Sequence, residues 1–182
     1  MNYTALIIST LALLFTVFSF WWMNLRRGKL IVGSPRSFAA TCKGGEGCLI
    51  VQLPLVFYNT GAAAQIVQNL RLTLEQEEKK SFPLYLNNTL SNLASNENRE
   101  WARQFAVEGR KSHSSIFVFQ TEPGKFTFKP PKCKAILEAK LNDKDRWETL
   151  LTFEIQTPKS AIGPLNSGQL IAHDNDPDRW VS

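Results

Sequence analysis

The chain has 182 residues, of which 43% are hydrophobic and 20% are charged, and its formal net charge is +5. Three cysteines are too few for a disulfide-held scaffold, and a chain of this length can bury enough surface to fold without disulfides or metals. Nucleic-acid-binding proteins concentrate their surplus positive charge on one element of the folded domain. Here three of the surplus basic residues instead directly follow an apolar N-terminal segment. The composition therefore argues against both of these protein classes.

The N-terminal segment from Ala5 to Met23 contains 19 consecutive residues without a charged side chain. A helix of that length rises ~28 Å, close to the ~30 Å thickness of the hydrocarbon core of a bilayer. Leu13 lies near its middle, and Trp21 and Trp22 lie where an interfacial aromatic belt is expected. A cleaved signal peptide would begin with basic residues and end with small ones, and this segment does neither. We therefore predict a retained transmembrane helix.

Arg26, Arg27 and Lys29 form a basic flank after the predicted helix, so that residues 1–29 constitute the anchor. Lys and Arg in short flanks favour the cytoplasmic side of a membrane and attract anionic lipid headgroups. The sequence thus predicts a single-pass membrane protein that contacts lipid and has its soluble domain in the cytoplasm.

Residues 30–157 alternate between apolar and polar residues in the way that is typical of half-buried strands. In Leu49–Phe57 every second residue is apolar, and Pro54 within this segment indicates an edge strand or a bulge. Asn59-Thr60-Gly61 follows as a turn, since Asn and Gly tolerate positive φ. Further strand candidates are Leu30–Ala40, Leu70–Leu74, Phe82–Leu86, Gln104–Glu108, Ser115–Gln120, Ala135–Leu141 and Leu151–Gln156.

Seven or eight short strands, with turn residues at intervals of about 8 to 12 positions, predict an antiparallel immunoglobulin-like β-sandwich. Phe57, Leu72, Leu137 and Phe153 lie on the apolar faces of their strands. We expect all four to be buried between the two sheets of the sandwich.

Two segments depart from the strand pattern. Leu90–Arg103 is the helical candidate of the domain. Residues 158–182 are rich in Pro, Gly, Ser and Asn and have no sustained periodicity, which predicts an extended or partly disordered C-terminal tail.

The residues PLVFYNTGAAAQIVQNLRLTL at Pro54–Leu74 resemble the strand–turn–strand unit of bacterial immunoglobulin-like modules, in which Asn-Thr-Gly precedes a Val-x-x-Leu-x-Leu strand. With the anchor and the following RRGKLIVGSPRSFAA, the chain is also similar to small single-pass bacterial membrane proteins whose role is uncharacterised. The resemblance implies a sandwich and a bacterial cell membrane, and it implies no catalytic residue.

The three cysteines leave two interpretations open. Cys42 and Cys48 flank Lys-Gly-Gly-Glu-Gly, a spacing that permits a small disulfide loop in an oxidising compartment, whereas the odd count agrees with reduced thiols. Cys133 lies between Lys132 and Lys134, and neighbouring cations lower the pKa of a thiol. One hypothesis is therefore a thiol-dependent redox or metal-handling protein that uses these three cysteines.

A basic and aromatic segment is the candidate interaction surface. It could rest on anionic headgroups or on an acidic protein, and lysines that guard an edge strand against aggregation explain it equally well. Its residues are Lys125, Phe126, Phe128, Lys129, Lys132 and Lys134.

No catalytic or metal-binding constellation stands out in the sequence, and no cofactor is expected. The hypothesis that we favour is a membrane-anchored, non-enzymatic interaction or accessory module of a bacterial envelope assembly. Its expected partners are membrane lipid and one or more membrane-associated proteins, and nucleic acid is not among them.

Overall fold

A computed structural model describes residues 3–42, 48–76, 81–95, 97–121, 126–128 and 132–176. The N-terminal segment forms an α-helix, α1 (Tyr3–Phe20), which continues into a π-helical segment over Trp21–Leu25. The combined helix Tyr3–Leu25 is long and apolar enough to cross a membrane, and none of its apolar window is buried against the rest of the protein. The predicted anchor residues up to Met23 therefore share one exposed helix.

The rest of the described chain is mainly antiparallel β-structure, as the sequence predicts. The strands are β1 (Leu30–Val32), β2 (Ser37–Cys42), β3 (Leu49–Asn59), β4 (Gln65–Glu75), β5 (Ser81–Leu90), β6 (Glu100–Trp101), β7 (Phe105–Val107), β8 (Ser112–Gln120), β9 (Lys132–Leu141), β10 (Trp147–Gln156) and β11 (Ile171–Asp174). A short helix, α2 (Lys159–Asn166), precedes the last strand.

These strands form one hydrogen-bonded sheet with the order β10-β9-β4-β5-β8-β3-β2-β11, to which β1, β6 and β7 add at β3, β5 and β4. The sheet curls into a half-barrel, and Asn175, which directly follows β11, connects the two end strands. Asn175 Nδ2 donates to the carbonyl of Glu154 in β10, and Asn175 Oδ1 accepts the N–H of Gln156, both at 2.9 Å. The described residues thus form eleven strands in one sheet, compared with the seven or eight predicted.

The core lies inside the curled sheet. Phe57, Leu72 and Leu137 are completely buried and Phe153 is 8% exposed, which confirms the burial predicted for these four residues. The ring centroids of Phe57 and Phe117 lie 5.4 Å apart in an edge-to-face arrangement, a favourable geometry for aromatic pairs.

The position of Pro54 differs from the predicted edge or bulge. Strand β3 lies inside the sheet, between β8 on one side and both β1 and β2 on the other. β2 pairs with β3 up to Gln52, and β1 pairs with it from Phe57 onward. Pro54 therefore lies where the partner strand changes on one side, so a missing N–H costs little in that ladder.

Two further expectations are corrected. Leu90–Arg103 contains bends, a turn and β6 in its described residues, and no helix is found among them. The start of the predicted tail is instead structured, since Lys159–Asn166 forms α2 and Ile171–Asp174 forms β11. In α2, Ala161 and Leu165 are four positions apart and both buried, so the helix packs one face on the core. Residues 177–182 of the predicted extended tail lie outside the described residues.

Candidate functional site

The chain leaves the helix in a defined conformation. The N–H of Arg26 donates to the carbonyl of Trp21 at 3.0 Å and closes the π-helical segment. The Arg26 guanidinium lies over the ring of Trp22 at 4.1 Å from its centroid, within the range of a cation–π interaction. The basic flank thus folds back on the predicted aromatic belt.

The exit segment (residues 26–30) is hydrogen-bonded to the proximal turn (residues 60–64) between β3 and β4. The N–H of Ala62 donates to the carbonyl of Arg26 at 2.8 Å. Lys29 and Thr60 are joined by three hydrogen bonds: Lys29 N–H donates to Thr60 Oγ1 at 2.8 Å, and both the N–H and the Oγ1 hydroxyl of Thr60 donate to the Lys29 carbonyl at 3.1 Å. We call this set of contacts the clamp.

Glycines allow the clamp to close. A Cβ added to Gly28 would lie 1.9 Å from the backbone nitrogen of Gly61, and one added to Gly109 would lie 1.8 Å from the carbonyl oxygen of Ala62. Such distances are far inside van der Waals contact, so the exit segment, the proximal turn and the turn before β8 meet backbone to backbone. Larger residues at these positions would force the segments apart.

Asn59 holds the proximal turn from within. Its side chain is fully buried, and Oδ1 accepts the N–H of Gly61 at 2.9 Å. Its Nδ2 donates to the carbonyls of Ala63 at 2.8 Å and of Val107 at 3.1 Å. The predicted turn is present, but neither Asn59 nor Gly61 has positive φ. Hydrogen bonding and close packing explain these residues.

The turns at this end of the domain carry positive charge. The guanidinium of Arg110 donates to the carbonyl of Trp22 at 3.5 Å, so the turn before β8 reaches the end of the N-terminal helix. Among the described residues, Arg27, Lys29 and Arg110 make no ion pair. Lys144 pairs with Glu148 at 2.9 Å. We call this end of the domain the proximal face.

A cleft of about 380 Å³ opens on the proximal face, between the exit segment and the hairpin that joins β9 and β10. Its charged lining residues are Arg27, Lys29, Lys144 and Glu148. Its apolar lining includes Leu30, Leu141 and Leu150. The cleft is therefore amphipathic, with a surplus of positive charge.

Of these residues, the sequence reasoning found Arg27 and Lys29 but missed Arg110 and Lys144. The strand order in the sequence contains a signal for these two residues. In an antiparallel sheet alternate turns lie at the same end, so the turns that follow β3, β7 and β9 lie at the end where the chain leaves the helix. Basic residues in those turns could have been added to the basic flank.

The predicted basic and aromatic surface is not formed as expected. Phe126 and Phe128 are each 3% exposed and belong to the core, so the interpretation of both as exposed contact residues is wrong. Lys132 pairs with Glu154 and Lys134 with Glu75, both at 2.8 Å. Both lysines lie on β9, which is paired with β4 and β10 and is no edge strand. Lys125 and Lys129 lie outside the described residues.

The three cysteines are free thiols. Cys42 is buried, its Sγ–H donates to the Phe126 carbonyl at 2.9 Å, and burial raises its pKa. Burial also raises the pKa of Cys133 to about 11, which is opposite to the lowering expected from its lysine neighbours. Lys132 and Lys134 pair with surface carboxylates instead. Cys48 is half-buried, and the loop between Cys42 and Cys48 lies outside the described residues.

Metal binding finds no support in the described part of the chain, where no group of three or more His, Cys, Asp or Glu side chains is placed to hold an ion. The thiols lie apart in their packing: Cys42 contacts the segment before β9, whereas the Cys133 thiol contacts the carbonyl of Glu75 at the end of β4.

No protein-family model matches the chain. No curated protein matches it either.

Several solved structures are similar to it at low identity. A protein assigned as ApaA from Bordetella pertussis is 9% identical, with 74% of this chain and 98% of that one covered and a TM-score of 0.41. A protein from Archaeoglobus fulgidus is also 9% identical, with 71% and 94% covered and a TM-score of 0.35. A family 123 glycoside hydrolase from Clostridium perfringens is 13% identical, with 71% and 27% covered and a TM-score of 0.31. Likeness at this level defines neither a shared fold nor a function.

Proposed function

We propose that this chain is a membrane-anchored, non-enzymatic interaction or accessory module of a bacterial envelope assembly. The observation that carries the proposal is the clamp, which joins the helix exit to the β-domain without a flexible linker. A domain held in one orientation at the membrane surface is suited to contact a membrane-associated protein, because little orientational freedom remains to be lost on binding.

The proposal includes an immunoglobulin-like arrangement of the half-barrel. The order of the sheet divides into two four-stranded halves, β10-β9-β4-β5 and β8-β3-β2-β11, and residues of both halves contribute to one core cluster. Two facing antiparallel halves around a common core are the basis of a β-sandwich. A mainly antiparallel domain after one apolar helix is consistent with this arrangement.

We place the domain on the cytoplasmic side, because Arg26, Arg27 and Lys29 follow the helix directly. Cys48 provides the test, since it is half-buried whereas Cys42 and Cys133 are buried. An impermeant thiol reagent should label Cys48 slowly in intact cells and rapidly after permeabilisation, and Cys48→Ser should remove the rapid labelling. Rapid labelling of intact cells that disappears in Cys48→Ser would instead place the domain outside.

The burial of Cys42 and Cys133 argues against the thiol-dependent alternative. Thiolate is the reactive form of cysteine, and burial raises the pKa of both Cys42 and Cys133. These two thiols are therefore protonated and shielded at neutral pH.

Cross-linking in cells tests the interaction module. The tagged full chain is cross-linked before lysis, purified in mild detergent and examined for attached proteins. We expect a membrane protein partner at a constant ratio to the chain. Gly28→Ala should lower that ratio, because its added Cβ would collide with Gly61 and open the clamp.

Gly33→Ala is the matched control, since a Cβ added at Gly33 meets nothing within 4 Å. It should leave the ratio unchanged. A chain that purifies without a constant partner, or equal ratios for Gly28→Ala and the wild type, would contradict the proposal.

A further inference from the structure

We infer that the cleft on the proximal face binds the phosphate group of an anionic phospholipid from the bilayer that holds α1. The inference rests on the proposed membrane anchoring and adds a specific lipid site to it. Three observations lead to it: the place of the cleft, its charge and its apolar lining.

The cleft lies at the level of the helix exit. Arg27 and Lys29 line it, and they follow the end of the π-helical segment at Leu25 by only two and four residues. The clamp fixes this part of the chain against the domain, and the contact of Arg110 with Trp22 holds the neighbouring turn at the same level. Because Trp22 belongs to the expected interfacial belt, the cleft faces the headgroup region.

The charges of the cleft suit an anion. Arg27 and Lys29 are exposed, and neither has an ion-pair partner among the described residues. On the opposite wall, Lys144 and Arg146 both contact Glu148, at 2.9 Å and 3.2 Å, so this carboxylate is already paired with cations. The cleft therefore presents two uncompensated positive charges to a ligand.

The apolar lining favours a lipid over free phosphate. Leu150, which is half-buried, lines the cleft beside the cations, together with the small exposed parts of Leu30 and Leu141, which are 8% and 6% exposed. Inorganic phosphate would gain nothing from these side chains, whereas the glycerol and first acyl carbons of a phospholipid would remove apolar surface from water. The β9–β10 hairpin that forms this wall is bonded to β4, with the N–H of Ile66 donating to Asn142 Oδ1 at 3.1 Å. The cleft is thus built from positions that the fold holds in place.

Native mass spectrometry of the full chain in mild detergent tests the site. Phosphatidylglycerol and phosphatidylcholine with identical acyl chains are titrated separately, and the 1:1 lipid complex is measured. We expect a clear preference for phosphatidylglycerol. The double variant Arg27→Gln/Lys29→Gln should weaken its binding by about 25-fold, since each charge near an anionic headgroup contributes about fivefold.

The double variant Lys132→Gln/Lys134→Gln is the control, because it removes the same charge from the opposite end of β9. It should bind phosphatidylglycerol like the wild type, and thermal unfolding of each variant shows that the domain remains folded. Equal binding of the two lipids, or equal loss in both double variants, would overturn the site. Complete displacement of bound phosphatidylglycerol by millimolar inorganic phosphate would assign the cleft to free phosphate and overturn the lipid assignment.

The same preparation separates this inference from the proposed function. A chain that fails to incorporate into detergent micelles or nanodiscs through α1 contradicts the membrane anchoring. An incorporated chain without headgroup preference contradicts only the lipid site.

Discussion

Replacing Asn59 by Ala is expected to destabilise the domain more than replacing any exposed asparagine. The side chain is fully buried and makes three hydrogen bonds, at 2.8, 2.9 and 3.1 Å, to the backbone of Gly61, Ala63 and Val107. Alanine would leave two carbonyls and one N–H without these partners. At roughly 1 to 1.5 kcal/mol for each orphaned group, the free energy of unfolding should fall by about 3 to 4 kcal/mol.

Chemical unfolding of the full chain in detergent, followed by the fluorescence of its domain tryptophans, measures this effect. Asn69→Ala is the control, because Asn69 is exposed on β4 and water can replace its hydrogen bond to the N–H of Leu70. The control should lie within about 0.5 kcal/mol of the wild type. A loss at Asn59 below about 1 kcal/mol, comparable with the control, would refute the role assigned to the buried amide.

Three further predictions concern the core, the buried thiol and the anchor. Phe153→Ala should cost about 3 to 5 kcal/mol of unfolding free energy, whereas Glu154→Ala should change it by less than ~0.5, and equal effects in denaturant titrations would overturn the assigned faces of β10. Because the pKa of Cys133 is raised from 9.0 to about 11, the folded state holds this proton more tightly than the unfolded state. Between pH 8 and 10.5 the wild type should therefore lose about 2 kcal/mol more stability than Cys133→Ala, and parallel pH profiles would contradict the shift. Leu13→Arg should weaken insertion by about 2.5 to 3.5 kcal/mol and increase the fraction released by carbonate extraction, whereas unchanged retention would show that Leu13 is not near the middle of the span.

The strands and the core could be predicted because they depend on a local pattern. Every second residue of β9 is apolar, and the side chains of Ala135, Leu137 and Ala139 are completely buried as the alternation requires. The same rule applies to Phe126 and Phe128, which alternate with Thr127. Their lysine neighbours suggested a surface, but two aromatic residues on one face of an extended segment favour burial.

The clamp could not be predicted, because it depends on contacts between residues that are distant in sequence. Nothing around Gly28 indicates that its backbone meets Gly61, and the role of Asn59 appears only when its distance to Val107 is known. The short helix α2 was missed for another reason. It contains Gly163 and Pro164, which are unfavourable inside a helix, and the burial of Leu165 compensates for their weak propensity.

The clamp also bears on how the domain would meet a partner. A flexible segment of five residues between helix and domain would allow many orientations, and binding would have to select one of them. Here Arg26, Lys29, Thr60 and Ala62 are hydrogen-bonded to one another across the junction, so folding of the domain already sets its orientation to the helix. A membrane partner of the kind proposed above would therefore meet the same face of the half-barrel each time. Opening the clamp should consequently weaken binding even when every residue of the contact surface is unchanged.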